Sequence, residues 1–171
     1  MYIKGQDILV CLYILARGWP DSYADMAKAL GISVGGAHQS VKRAATAQLL
    51  DPWAKWVRRQ ALAEFLVHGL QYAFPAEVGR MTRGVPTSFG VGELAKAVLA
   101  SDEQVPVWPD PEGSVRGPSL SPLFKSVPYA ALRDPQLHEW LALADAIRSG
   151  RARERDLAKS IVTRRLAHGP H

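Results

Sequence analysis

Cysteine is nearly absent. Cys11 stands alone among 171 residues, which excludes an internal disulfide and a cysteine-based zinc site. Lying inside an apolar stretch with no histidine close by, it reads as a small buried hydrophobe. Long apolar runs are also missing. The longest, Ile8 to Ala16, has nine residues, against the roughly 20 that a helix needs to cross a bilayer. The opening residues carry no charged-then-apolar leader with a small-residue cleavage site, so export is not expected and a cytoplasmic location is. No glycine loop of the phosphate-cradling kind and no nucleophile elbow is present. Histidine is sparse: His38, His68, His138, His168 and His171. His68 and His138 stand singly on apolar helical stretches and read as satisfied, partly buried side chains. Only His168 and His171 have metal-ligand spacing, and they lie in a terminal tail. The carboxylate pairs Glu64/Glu77 and Asp110/Glu112 have nothing nearby that would raise a pKa. The expectation is therefore no enzyme, no metal and no cofactor.

What is present is enough for a packed core: 47% of residues are hydrophobic and 22% charged. The formal net charge of +5 is unevenly placed. Residues 1–59 carry +4, residues 60–128 carry −2 and residues 129–171 carry +3. Two basic ends around an acidic middle permit a polyanionic partner, although surplus basic charge also serves solubility.

Periodicity and capping signals divide the chain. A helix is expected over 6–17, stopped by Gly18-Trp19-Pro20. It is apolar nearly all round, which calls for burial on more than one side, against a second subunit or the C-terminal helices. Asp21-Ser22 caps a short helix, Tyr23 to Leu30, ended by Gly31. Ser33 opens another, running to about Leu49 with Ala37, Val41, Ala44 and Ala45 inward. Residues 49–57 read as two short strands around an Asp51-Pro52 turn. A helix over 59–74 ends at Pro75. The stretch 75–128 holds 8 of the 12 prolines and reads as an irregular arm packed over other parts, with one short helix over 91–100 and brief extended pieces at 105–108 and 114–116. Asp134-Pro135 then starts a helix that Ser149-Gly150 breaks, and a last helix runs from about Arg153 to Leu166.

The order helix, helix–Gly-turn–helix, short hairpin is carried by Ala27-Lys28-Ala29-Leu30-Gly31-Ile32-Ser33, followed by Gln39-Ser40-Val41-Lys42-Arg43. Gly31 permits a left-handed turn and Ala27 a close helix crossing. Over roughly residues 6–59 the chain resembles MarR-like winged helix-turn-helix bacterial transcription regulators. It departs from them at Gln48, where such proteins often carry glycine. The fold class expected is mainly α: a winged helix-turn-helix with a short β-hairpin wing over 1–59, then a helical and irregular extension over 60–171, for dimerisation and partner contact, containing the Pro/Gly-rich arm.

The resemblance implies that the helix opened by Ser33 lies in a DNA major groove. Ser33, Gly35 and Gly36 place amides and little bulk at a helix N-terminus, where the dipole attracts phosphate. His38, Gln39 and Lys42 point away from Ala37 and Val41 towards base edges; Gln39 suits adenine and Lys42 guanine. Arg43, Lys55, Arg58 and Arg59 are expected on phosphates. Trp53 and Trp56 either stack on DNA or, more in keeping with a short wing, fasten the wing to the following helix. Arg80, Thr82 and Arg83, in a glycine-rich stretch, form a candidate anion or partner loop. The run Arg148, Arg151, Arg153, Arg155 reads as an ordinary charged helix surface. Together these readings lead to a dimeric repressor on a pseudo-palindromic operator in double-stranded DNA. An antitoxin-like interaction module, binding a protein encoded nearby, is the competing expectation.

Overall fold

The computed structural model describes residues 2–98 and 104–168. Helix α1 (Gly5–Arg17) lies between α3 (Val34–Thr46) on one side and α8 (Pro135–Ser149) on the other. That position accounts for its apolar character all round: Ile8, Leu9, Val10, Cys11 and Leu12 are fully buried. The chain's own α8 covers the second face. Gly5 is required at the start of α1, because a Cβ there would stand 1.9 Å from the carbonyl oxygen of Leu123.

Helix α2 (Tyr23–Leu30) is capped by Ser22, whose hydroxyl accepts from the Asp25 amide at 3.1 Å. Gly31 ends it at φ 66°. Ser33 caps α3 in the same manner, its hydroxyl accepting from the Gly36 amide at 2.9 Å. Helix α3 stops at Thr46, before the expected Leu49, and Gln48 turns the chain at φ 64°. Gln48 thus adopts the left-handed backbone that a glycine would adopt without strain. Strands β1 (Leu50–Asp51) and β2 (Trp56–Val57) then pair antiparallel. Their turn is held by Asp51, whose Oδ1 accepts from the Trp53 and Ala54 amides at 3.1 and 3.0 Å.

The helix expected over 59–74 is two, α4 (Arg59–His68) and α5 (Leu70–Ala73), because the chain breaks at Gly69. Helix α7 (Val127–Arg133) lies where no helix was expected, with a proline in its first turn. Asp134 separates α7 from α8 and caps α8 through the amides of Gln136 and Leu137. It also accepts from Arg17 Nε at 2.6 Å, tying the end of α1 to the start of α8. Helix α9 (Ala152–Ala167) packs on α8 and α4.

The irregular arm expected over 75–128 is largely ordered into a sheet. Strand β3 (Val78–Pro86) pairs antiparallel with β4 (Val107–Pro109) and β5 (Val115–Leu120), while β4 and β5 meet in parallel at Val107 and Ser119. The three strands close on one another. So tight a closure needs glycine: a Cβ on Gly84 would lie 2.0 Å from the Trp108 carbonyl oxygen, and one on Gly117 1.9 Å from that of Val105. The stretch 79–88, expected as a loop, is strand β3 and the turn after it. A 3-10 turn (Ser88–Gly90) and α6 (Gly92–Ala97) follow; Leu99 and Ala100, placed in that helix from sequence, lie outside the described residues. The segment packs on this chain's own α8.

Asp145 makes that attachment. Its carboxylate, buried in α8, accepts from Thr87 Oγ1 and Trp108 Nε1, both at 2.7 Å, and from Arg148 Nη1 at 2.7 Å. Arg148 also donates to the carbonyls of Phe74 and Ser121. Burial pushes the Asp145 pKa up, against the pull of Arg148 and the donated hydrogen bonds. Arg148, read from sequence as surface, is an interior residue with its side chain 3% exposed. Arg155 likewise turns back onto the carbonyls of Ile147 and Gly150. One hydrophobic core runs through α1, α3, α4, α8 and α9. Among the described residues the fold is mainly helical, with a small two-stranded antiparallel sheet and the closed three-stranded one. No helix among them is long and apolar enough to cross a membrane.

Two outcomes follow from these contacts. Asp145→Ala leaves the Arg148 guanidinium buried without its counter-charge and is expected to lower unfolding free energy by about 3–5 kcal/mol in urea titration. The second concerns pH. Glu93 is held below the usual carboxylate range by hydrogen bonds from Arg165 and Arg164. Burial pushes Glu139 and Asp134 up, but Arg165 and Arg17 respectively prevail and both lie low. Carboxyls depressed in the folded state add stability above their unfolded pKa of about 4 and lose it as pH falls through that range towards the folded values. Thermal melting is expected to hold from neutral pH to about 5 and then fall, with a shallower fall in Glu139→Gln.

Candidate nucleic-acid interface

The exposed side of α3 follows from what its other side must bury. Ala37, Ser40, Val41 and Ala44 face inward, so the helical repeat turns Gly35, His38, Gln39, Lys42 and Thr46 to solvent. The rotation of the helix is fixed by Asp7 of α1. Its fully buried carboxylate accepts from Arg43 Nε at 2.8 Å and Nη2 at 2.9 Å, and from the Lys4 amide at 2.8 Å. Gln6 Nε2 adds a bond to the Gly36 carbonyl at 3.1 Å. Arg43, expected on phosphate, is therefore an internal strut. Its hydrogen bonds to Asp7 hold its guanidinium pKa above the ordinary value.

At the helix start Ser33, Gly35 and Gly36 have different surroundings. The Gly36 amide is taken by Ser33, and a Cβ on Gly36 would press on Ser33 Oγ at 2.9 Å and Gln6 Nε2 at 3.0 Å. Gly36 is thus a packing residue. Gly35 differs: a Cβ there would meet nothing within 4 Å. Among the described residues no neighbour demands glycine at this position, and the amides of Val34 and Gly35 remain as donors at an exposed helix end.

Tyr23 of α2 lies beside the same face, its ring 3.8 Å from that of His38 and tilted by 34°. With Gln39, Lys42, Thr46 and Pro52 these rings border a shallow groove of about 510 Å³. Tyr23 was not foreseen as part of the site, because its approach to His38 depends on how α2 and α3 cross. Among the described residues neither Gln39 nor the Lys42 ammonium is engaged by another side chain.

The hairpin adds a second element. Trp53 at its turn is 96% exposed, so it does not fasten the hairpin to α4 as expected. Lys55 is exposed at φ 59°. Arg58 is exposed and shares an ion pair with Asp51 at 3.1 Å. Arg59 is withdrawn instead, donating to the carbonyls of Arg165, Leu166 and His168 at the end of α9; burial lowers its pKa. The exposed side of α3 thus holds Gly35, His38, Gln39 and Lys42 with Tyr23 beside them, and Trp53, Lys55 and Arg58 are exposed at or just after the hairpin. Ser33 serves as the helix cap, Gly36 packs against Ser33 and Gln6, and Arg43 and Arg59 are bound within the chain.

Arg80, Thr82 and Arg83 lie on β3, in the separate sheet. His138 Nε2 lies 2.7 Å from the Pro86 carbonyl oxygen, a satisfied partly buried ring as read from sequence. His171 lies outside the described residues, and among those residues no group of three or more His, Cys, Asp or Glu is placed to hold a metal. Cys11 is buried and its thiol pKa is pushed up by that burial. Comparison with protein-family models, with curated proteins and with solved structures gave no match.

The two groups of α3 residues should separate in solution. Arg43→Ala strands the buried Asp7 carboxylate and is expected to lower stability by about 3–5 kcal/mol. Gln39→Ala and Lys42→Ala, on the exposed side, are expected to stay within about 0.5 kcal/mol of the parent in the same denaturant titration.

Proposed function

We propose that residues up to about 59 act as a winged helix-turn-helix that reads double-stranded DNA, and that the protein is a dimeric transcriptional repressor rather than an enzyme. The observation that carries this reading is the exposed side of α3, where among the described residues the Gln39 and Lys42 side chains have no side-chain partner and no neighbour requires the adjacent Gly35 to be glycine. A helix placed this way fits a major groove, with Gln39 and Lys42 towards base edges and the Val34 and Gly35 amides towards a phosphate. Lys55 and Arg58 on the hairpin are positioned for flanking phosphates, and Trp53 for a sugar or base. The resemblance to MarR-like regulators supports the same assignment. The competing antitoxin-like reading rests on a proline-rich arm suited to wrapping a partner; part of that arm packs on this chain's own α8. In a twofold dimer, the two α3 helices would lie about 34 Å apart on a pseudo-palindromic operator.

The test is fluorescence anisotropy with DNA from upstream of the protein's own gene, beside a scrambled duplex, at two salt concentrations. Tighter, saturable binding to the upstream duplex supports the proposal; equal affinity for both reduces it to general phosphate attraction. Gln39→Ala and Lys42→Ala are each expected to cost about 1–3 kcal/mol on the cognate duplex and to relax specificity. Arg58→Ala is expected to weaken every duplex alike and to lower the salt slope by about one. Unchanged operator affinity in both α3 variants would overturn the assignment of the reading helix.

A further inference from the structure

The outward side of β3 and β5 carries an arrangement that folding does not favour. Arg83 lies directly opposite Arg116 in the antiparallel register, and both are exposed. Side chains so opposed have Cβ atoms about 4.5–5.5 Å apart, a spacing at which like charges destabilise a sheet. Among the described residues no carboxylate is paired with Arg80, Arg83 or Arg116. Asp110 is near in the fold, its amide donating to the Arg83 carbonyl at 3.2 Å, but its Oδ1 accepts the Glu112 amide at 2.8 Å. Further along the same side Met81, 39% exposed, lies opposite Pro118. Arg80 is exposed at the irregularity between Val78 and Met81. The other side of the strands is closed by Gly84 and Gly117, both buried. Strand alternation therefore presents the two guanidinium groups together and to solvent.

We propose that this surface, Arg83 and Arg116 with Arg80 beside them, grips the sugar–phosphate backbone of duplex nucleic acid, as a contact separate from α3. A duplex carries a negative charge about every 1.7 Å of its axis, so more than one phosphate lies within reach of two arginines held side by side. A guanidinium also binds phosphate through two parallel hydrogen bonds. A lone carboxylate on a protein partner would answer only one of the two. Met81 and Pro118 supply a flat apolar strip against which sugars can rest. The sheet is attached through α8 and the Ser88–Gly90 turn, whereas α3 is attached through α1 and α2. The proposal thus goes beyond the reading of α3 and stands on different residues.

The experiment uses the whole chain with the double change Arg83→Ala and Arg116→Ala, titrated by anisotropy against a scrambled duplex across a salt series. The slope of log affinity against log salt is expected to fall by about two. The same fall is expected when the double change is made in Gln39→Ala/Lys42→Ala protein. Thermal melting by circular dichroism is expected to be equal or raised, because the opposed charges are gone; a merely structural pair would lower it. The Arg83→Lys/Arg116→Lys protein keeps both charges and is expected to keep the parental slope. An unchanged slope in the alanine protein overturns the proposal. So does a loss confined to binding of polyglutamate, which would mark the surface as a dock for an acidic protein. If the slope depends on Arg83 and Arg116 while operator affinity ignores Gln39 and Lys42, this contact stands and the α3 reading falls. The converse result removes this contact and leaves α3.

Discussion

The buried ion pair between Asp7 and Arg43 sets what the rest of the molecule can present. Asp7 is fully buried, and its carboxylate is satisfied by a forked guanidinium and a backbone amide. A charge so placed tolerates few alternatives, since any rotation of α3 that withdrew Arg43 would strand it away from water. The pair therefore fixes how α3 turns about its own axis. Ala37, Val41 and Ala44 go inward, while Gly35, His38, Gln39 and Lys42 are left outside. Because α1 also rests on α8, the exposed side of α3 is held by the whole core rather than by a small terminal unit.

The same device recurs on the other side of α8. Asp145 gathers Thr87 from the end of β3, Trp108 from β4 and Arg148 from its own helix, and Arg148 reaches the carbonyls of Phe74 and Ser121. A closed three-stranded sheet this small has little apolar surface with which to attach itself. A satisfied polar network supplies a directional fastening instead. Both fastenings leave solvent-facing basic residues in known places: Lys42, Lys55 and Arg58 around α3 and the hairpin, and Arg83 with Arg116 on the sheet.

Net charge alone was a poor guide to that division. Arg43 and Arg148 are bound to buried carboxylates, and Arg59 and Arg155 close helix ends by donating to carbonyls. Their charge and planar fork suit the unpaired acceptors of a protein as well as they suit phosphate. The positive surplus that points to a polyanion is thus carried by fewer outward-facing residues than composition implies.

The sequence by itself determined the elements whose signals are local. Ser22, Ser33 and Asp134 cap the helices that follow them, Gly31 turns left-handed, and the 3.6-residue repeat of α3 separates its inward from its outward positions. Asp51-Pro52 marks the hairpin, although Trp53 at its turn faces solvent. Such features depend on hydrogen bonds and periodicities spanning only a few residues. Tertiary structure alone decided the direction of Arg43, which depends on where α1 crosses α3, and the meeting of Tyr23 with His38. It also decided the sheet over 75–128. There glycine and proline interrupt the alternation that would announce strands, and Gly84 and Gly117 matter only because another backbone passes within contact distance. The opposition of Arg83 and Arg116, 33 positions apart in the chain, is likewise a product of register, which no local pattern encodes.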